Sequence, residues 1–88
     1  MNNGNVITSL NTLECDIWKR YNCICSFIET SPNSNKFEIR CQFKDAINSS
    51  WTFTYVFNIY DLITNYNSVL GKIIIELEEE WMNRIYRI

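Results

Sequence analysis

Between Lys36 and Lys44 the chain alternates strictly: Phe37, Ile39, Cys41 and Phe43 fall on one side, and Lys36, Glu38, Arg40, Gln42 and Lys44 on the other. A period of two with one apolar side is the pattern of a half-buried β-strand. Trp51 to Ile59 repeats it, with Trp51, Phe53, Tyr55, Phe57 and Ile59 against Thr52, Thr54, Val56 and Asn58, in residue types that favour strands. Upstream, Tyr21, Cys23, Cys25 and Phe27 alternate with Asn22, Ile24, Ser26 and Ile28, a first strand whose second side is also partly apolar. The Ser31-Pro32-Asn33-Ser34-Asn35 cluster between the first two strands consists of turn residues and should close a hairpin. Pairing Thr30 with Lys36 sets Phe27 opposite Ile39, Cys25 opposite Cys41 and Cys23 opposite Phe43, so that both apolar sides coincide. Asp45 to Ser50 then turns the chain into the third strand, which gives an antiparallel meander of order 1-2-3.

From Asp61 the period lengthens. Leu62, Tyr66, Val69, Ile73, Leu77, Trp81, Ile85 and Ile88 recur every three or four residues and form one stripe of a helix. Asp61 is placed as its N-cap. An unbroken helix to the C-terminus would be about 40 Å long, more than the sheet beneath it needs. Asn65, Asn67 and Gly71 are weak helix formers, so a bend or break is expected between Asn65 and Gly71. Val6, Leu10, Leu13 and Ile17 are helically spaced and allow a short N-terminal helix ahead of the sheet. The expected fold is α+β: a three-stranded antiparallel meander packed on a long C-terminal helix, as a single domain over residues 1–88. No repeat and no linker is visible.

Composition supports a packed core: of 88 residues, 47% are hydrophobic and 15% aromatic, with two glycines and one proline. A chain this short buries only about 60 to 65% of its unfolded surface, so its stability margin is thin. A net charge of −2 does not suit electrostatic capture of nucleic acid or an anionic membrane, and direct nucleic-acid binding is not expected. Met1 to Leu13 lacks the basic and apolar regions of a signal peptide, and no apolar run approaches a membrane span, so the chain is read as soluble and cytoplasmic.

The candidate chemistry is thin. There is no histidine, which excludes Ser-His and Cys-His nucleophile pairs and removes the commonest general base. No catalytic residue is assigned, and the chain is read as not an enzyme. Cys23 and Cys25 stand at strand spacing rather than on a metal knuckle, so zinc is not expected; no cofactor or metal is assigned. Cys25 and Cys41 are cross-strand neighbours within reach of a disulfide under oxidation, while free buried cysteine behaves as a small hydrophobe and is the reading adopted for the reduced chain. Glu76, Glu78, Glu79 and Glu80 form an acidic run whose side chains fan around a helix instead of converging, with Glu80 and Arg84 at ion-pair spacing.

Helix, three strands and helix resembles, in element order, the double-stranded RNA-binding domain. That family's resemblance implies a lysine cluster at the start of the second helix for holding phosphates. Here the region reads Asp61, Asn65, Asn67 and Ser68, with Lys72 as its only basic residue. Phe37, Phe43, Phe53 and Phe57 share the side that a helix must cover, so they are core and not a base-stacking platform.

Two surfaces remain as candidates for partner binding. Arg20, Lys36, Arg40 and Lys44, with Glu38, Gln42, Thr52 and Thr54, form a mildly basic open sheet face; Glu76, Glu79 and Glu80 mark an acidic helix. The outer strands are open edges suited to association, including a homodimer, and Trp18 and Trp81 sit where they can stay partly exposed. The expected function is therefore non-catalytic protein binding, an inhibitor of a larger enzyme such as a nucleic-acid-processing one. Short, Asn- and Ile-rich and without motifs, the chain is similar in type to the small inhibitors of phages and mobile elements, anti-CRISPR proteins among them. The alternatives are a nucleic-acid-binding accessory protein using the basic sheet face, and a toxin-neutralising immunity protein using the acidic helix.

Overall fold

The first apolar stripe runs on past Ile17 to Tyr21, and the helix runs with it. In the computed structural model, which describes residues 3–44 and 50–85, α1 covers Asn3–Tyr21, 19 residues and not a short prelude. Leu13 and Ile17 are fully buried, with Val6, Leu10 and Tyr21 packed beside them. Asn22 ends the helix with a left-handed φ of 53°, and its N–H donates to the Trp18 carbonyl at 2.7 Å. Asparagine tolerates that conformation better than most residues, which is why it serves at helix C-termini. The strand expected from Tyr21 accordingly starts later: β1 is Cys25–Glu29.

The strands β2, Lys36–Lys44, and β3, Ser50–Asn58, complete a three-stranded antiparallel sheet of order β1-β2-β3. Cys25 pairs with Cys41, Phe27 with Ile39, Phe37 with Phe57 and Cys41 with Phe53, the register that the apolar alternation requires. The hairpin between β1 and β2 has Pro32 at the second and Asn33, with φ 59°, at the third position of a turn closed by Ser34 N–H donating to the Ser31 carbonyl at 3.2 Å. Proline followed by a positive φ is the signature of a type II turn. Asn33 N–H also donates to the Glu29 carboxylate at 3.0 Å, and Thr30 N–H to the Lys36 carbonyl at 3.0 Å. The turn expected at Asp45 to Ser50 lies outside the described residues except for Ser50, the first residue of β3.

A short helix, α2 (Ile59–Thr64), follows β3 directly, and α3 (Tyr66–Ile85) follows α2. The N-cap is Asn58, whose side-chain oxygen accepts from Tyr60 N–H at 2.8 Å; Asp61, expected in that role, sits inside the first turn instead. The helix begins earlier because Ile59 continues the apolar side of β3 and is also the first buried residue of the helix. The expected break falls at Asn65, which leaves helical geometry at φ −134° and ψ 54°. Its N–H closes α2 on the Asp61 carbonyl, and its own carbonyl accepts from Ser68 and Val69, starting α3. Leu62, Val69, Ile73 and Leu77 are buried and Tyr66 and Trp81 pack against them, as the stripe requires; Ile88 lies outside the described residues.

All three helices lie on one side of the sheet. α1 packs on β1 and α2, and both α2 and α3 pack on β3. α1 is tied to α3 by the Tyr21 hydroxyl donating to Glu78 at 2.8 Å and by the Tyr66 hydroxyl donating to Asp16. The core between the layers holds Ile39, Cys41, Phe43, Trp51, Phe53 and Phe57 from the sheet, and no charged residue is buried among the described residues. At one end Trp81 packs at a tilt against Phe43 (5.2 Å between centroids) and Tyr21 (5.4 Å), while Trp51 stacks on Phe43 and carries the Arg84 guanidinium over its ring. Among the described residues no helix is long and apolar enough to cross a membrane.

Candidate functional site

Because all three helices cover the same side, the other face of the sheet is uncovered among the described residues. Strand alternation places Lys36, Glu38, Arg40, Gln42 and Lys44 of β2 there, with Ser26 and Ile28 of β1 and Thr52, Thr54 and Val56 of β3. Lys36, Arg40 and Lys44 are brought together on this face as expected. Arg20 is not: it occupies the last turn of α1, because the helix runs to Tyr21. The face is also less basic than its lysines suggest, since Arg40 Nε is ion-paired with Glu38 at 2.6 Å. Both groups are partly solvated, so the pair contributes about 1 kcal/mol or less, yet it fixes the guanidinium over the middle of the sheet.

Apolar side chains interrupt this polar surface. Ile24, just ahead of β1, is 80% exposed, Val56 is 49% exposed and Ile28 42%. Ile28 and Val56 both face Glu38 across the strands, one from each side. Ile24, Ser26, Glu38, Arg40, Gln42, Thr52 and Thr54 line a shallow groove across the face. The patch thus combines exposed apolar side chains with a charge pair and is framed by hydroxyls and an amide.

The acidic run divides along α3. Glu78 accepts the Tyr21 hydroxyl and Glu80 pairs with Arg84 Nε at 3.1 Å, the spacing expected for these two residues. Glu76 and Glu79 point to solvent beside the exposed Ile75 and Met82. Burial, reinforced by Glu78, pushes the Tyr21 hydroxyl up to about 12, and Tyr66 is likewise raised by burial and by Asp16. Trp18 is 54% exposed on α1, and Trp81 is half-buried.

A third constellation lies in the core. The sulfurs of Cys23, Cys25 and Cys41 are all within 4.8 Å of one another and all three residues are buried, with Cys25 Sγ and Cys41 Sγ at 3.3 Å. Sequence alone paired Cys25 with Cys41; it did not join Cys23 to them. The available signal was that Cys23 and Cys25 share a side and Cys41 faces them across the hairpin. The thiols are not equivalent. A hydrogen bond from Cys41 holds Cys25 below the usual thiol range, whereas burial and then the neighbouring Cys25 push Cys23 up to about 12, and Cys41 is raised by its bond to Cys25 and by burial. Cys15 is exposed on α1, apart from the cluster.

Comparison with protein-family models, curated proteins and solved structures finds no match to this chain.

Proposed function

We propose that this is a non-catalytic binding protein that docks its uncovered sheet face on a larger protein, acting as a small inhibitor of an enzyme. The observation that carries the reading is the one-sided layering. Three helices cover one side of the sheet and leave Ile24, Ile28 and Val56 in solvent around the Arg40–Glu38 pair. Burying these side chains against a partner returns about 25 cal/mol for each Å² of apolar surface removed from water. The surrounding threonines, Gln42 and the two lysines supply a hydrogen-bonding rim. Among the described residues β1 and β3 are the outer strands of the sheet, and such edges can pair with a second copy.

The acidic side of α3 supports a second reading, neutralisation of a basic partner such as a toxin, because Glu76 and Glu79 flank the exposed Ile75 and Met82. Nucleic-acid binding has less support. Arg40 is neutralised by Glu38, Arg20 stands off the face, and Lys36, Arg40 and Lys44 follow one another at intervals of about 13 Å along a strand.

The test is recovery of a stoichiometric partner by the tagged protein from the cell in which it acts, followed by two double variants. Arg40→Glu with Val56→Lys should abolish recovery, and Glu76→Lys with Glu79→Lys should leave it intact. The opposite pattern assigns the function to α3. Binding to nucleic acid that weakens steeply with salt and is lost in Lys44→Glu would replace both readings.

A further inference from the structure

Cys23, Cys25 and Cys41 have a property that hydrophobic packing alone does not require: three sulfurs converging on one point. The backbone arranges it. Asn22, at φ 53°, turns the chain out of α1 so that Cys23 and Cys25, two residues apart, both face inward. Cys41 meets Cys25 across the β1–β2 ladder. Thr30 N–H bonds to the Lys36 carbonyl, and alternate positions of an antiparallel ladder alternate in type, so Cys25 and Cys41 form a non-hydrogen-bonded pair, the closer kind.

We infer that these three cysteines form a thiolate site for a soft monovalent d10 cation of the Cu(I) type. Donor number selects the ion. Among the described residues the cluster offers three sulfurs and no His, Asp or Glu ligand atom, while protein-bound zinc almost always takes four ligands. Thiolates are the ligands that select Cu(I), which accepts three-coordinate sulfur. A metal–sulfur bond of about 2.3 Å in a trigonal plane holds sulfurs about 4 Å apart. The cluster, with one separation of 3.3 Å and all within 4.8 Å, reaches that triangle through side-chain shifts of less than an ångström.

Binding exchanges protons for metal: the three S–H groups lose three protons as three sulfur–metal bonds form, leaving two net negative charges. Cys23 lines a surface groove with Tyr21, Lys44 and Trp81, which offers the cation an entry route.

The test is anaerobic titration of the reduced full chain with Cu(I) held by a competing chelator, with X-ray absorption to count ligands. The expected result is one Cu(I) per chain bound by three sulfurs. Cys23→Ala and Cys41→Ala, each checked for native circular dichroism, should weaken binding on the order of 100-fold or more, while Cys15→Ser binds like the parent. A second arm needs no variant: oxidation that joins Cys25 to Cys41 should abolish binding, and reduction should restore it. The inference is overturned by absence of stoichiometric uptake, by uptake that survives Cys41→Ala in a folded chain, or by Cu(I) bridging copies through Cys15. Zn(II) binding tighter than Cu(I) with an oxygen as fourth ligand overturns it as well.

Discussion

Mild oxidation of the reduced protein with a diamide-type reagent should link Cys25 to Cys41 and raise its stability. In the step two thiols give two protons and two electrons to the oxidant and one S–S bond forms. The register sets the partners, for Cys25 and Cys41 face each other with their sulfurs at 3.3 Å. Non-hydrogen-bonded pairs have Cα separations of about 4.5 Å, at the short end of the disulfide range of about 4.4–6.8 Å. The two positions are 16 residues apart, and closing a loop of that size removes about 3 kcal/mol of unfolded-chain entropy. Drawing the sulfurs in by more than an ångström within a packed core returns part of this as strain, so a net gain of about 1–3 kcal/mol is expected. For a domain of this size each kcal/mol moves Tm by about 4–8 °C, giving a rise of roughly 4–24 °C. Thermal melts with and without reductant measure it, and a non-reducing peptide map identifies the bond. A map showing Cys23 or Cys15 in the bond, or an unchanged Tm with Cys25 joined to Cys41, refutes the reasoning about register.

Other substitutions probe the remaining elements. Gly71→Ala places a Cβ where nothing lies within 4 Å, inside α3, and should stabilise by about 0.5–1 kcal/mol, read as a higher denaturation midpoint. Asn22→Val forces a β-branched residue into φ 53° and should cost about 1–3 kcal/mol, while Asn22→Gly is neutral or better; equal effects from both would refute the helix ending drawn here. Leu77→Ala, at a fully buried position of α3, should cost about 2–5 kcal/mol, against less than about 0.5 for Glu76→Ala on the solvent side of the same turn. Tyr21 titrates near 10 when unfolded and near 12 when folded, so the folded state holds its proton more tightly. The stability from this bond is complete below pH 10 and disappears as pH rises to about 12, and Tyr21→Phe should flatten that alkaline decline of Tm.

Which parts of this structure were legible in the chain follows from where one signal acted alone. β2 and β3 were, because strict alternation of Phe, Ile, Cys and Trp with charged and hydroxyl residues admits a single orientation, and β2 then dictated the register of β1. The region around Tyr21 was ambiguous, since Tyr21 continues both the helical stripe from Ile17 and the alternation into Cys23 and Cys25. The structure resolves it by the tilted packing of Tyr21 against Trp81 and its bond to Glu78, contacts more than fifty residues away that local pattern does not contain. Arg20 followed Tyr21 into the helix and off the sheet face. Asp61 lost the N-cap to Asn58 because a residue that ends a strand can also begin a helix. On the candidate surfaces, residue identities were readable but their pairing was not: Glu38 neutralising Arg40, and Glu78 committed to Tyr21, depend on rotamers and tertiary packing.

The central claim, that the uncovered sheet face meets the partner, is tested most directly by site-specific photo-crosslinking inside the cell. A photoreactive side chain at Thr54, exposed at the centre of that face, is compared with one at Glu79 on the outer side of α3. Crosslinking of Thr54 to one larger protein, with Glu79 giving no such product, is the result the account predicts. Capture from Glu79 alone, or a bare Thr54 where Glu79 reports a partner, would contradict it.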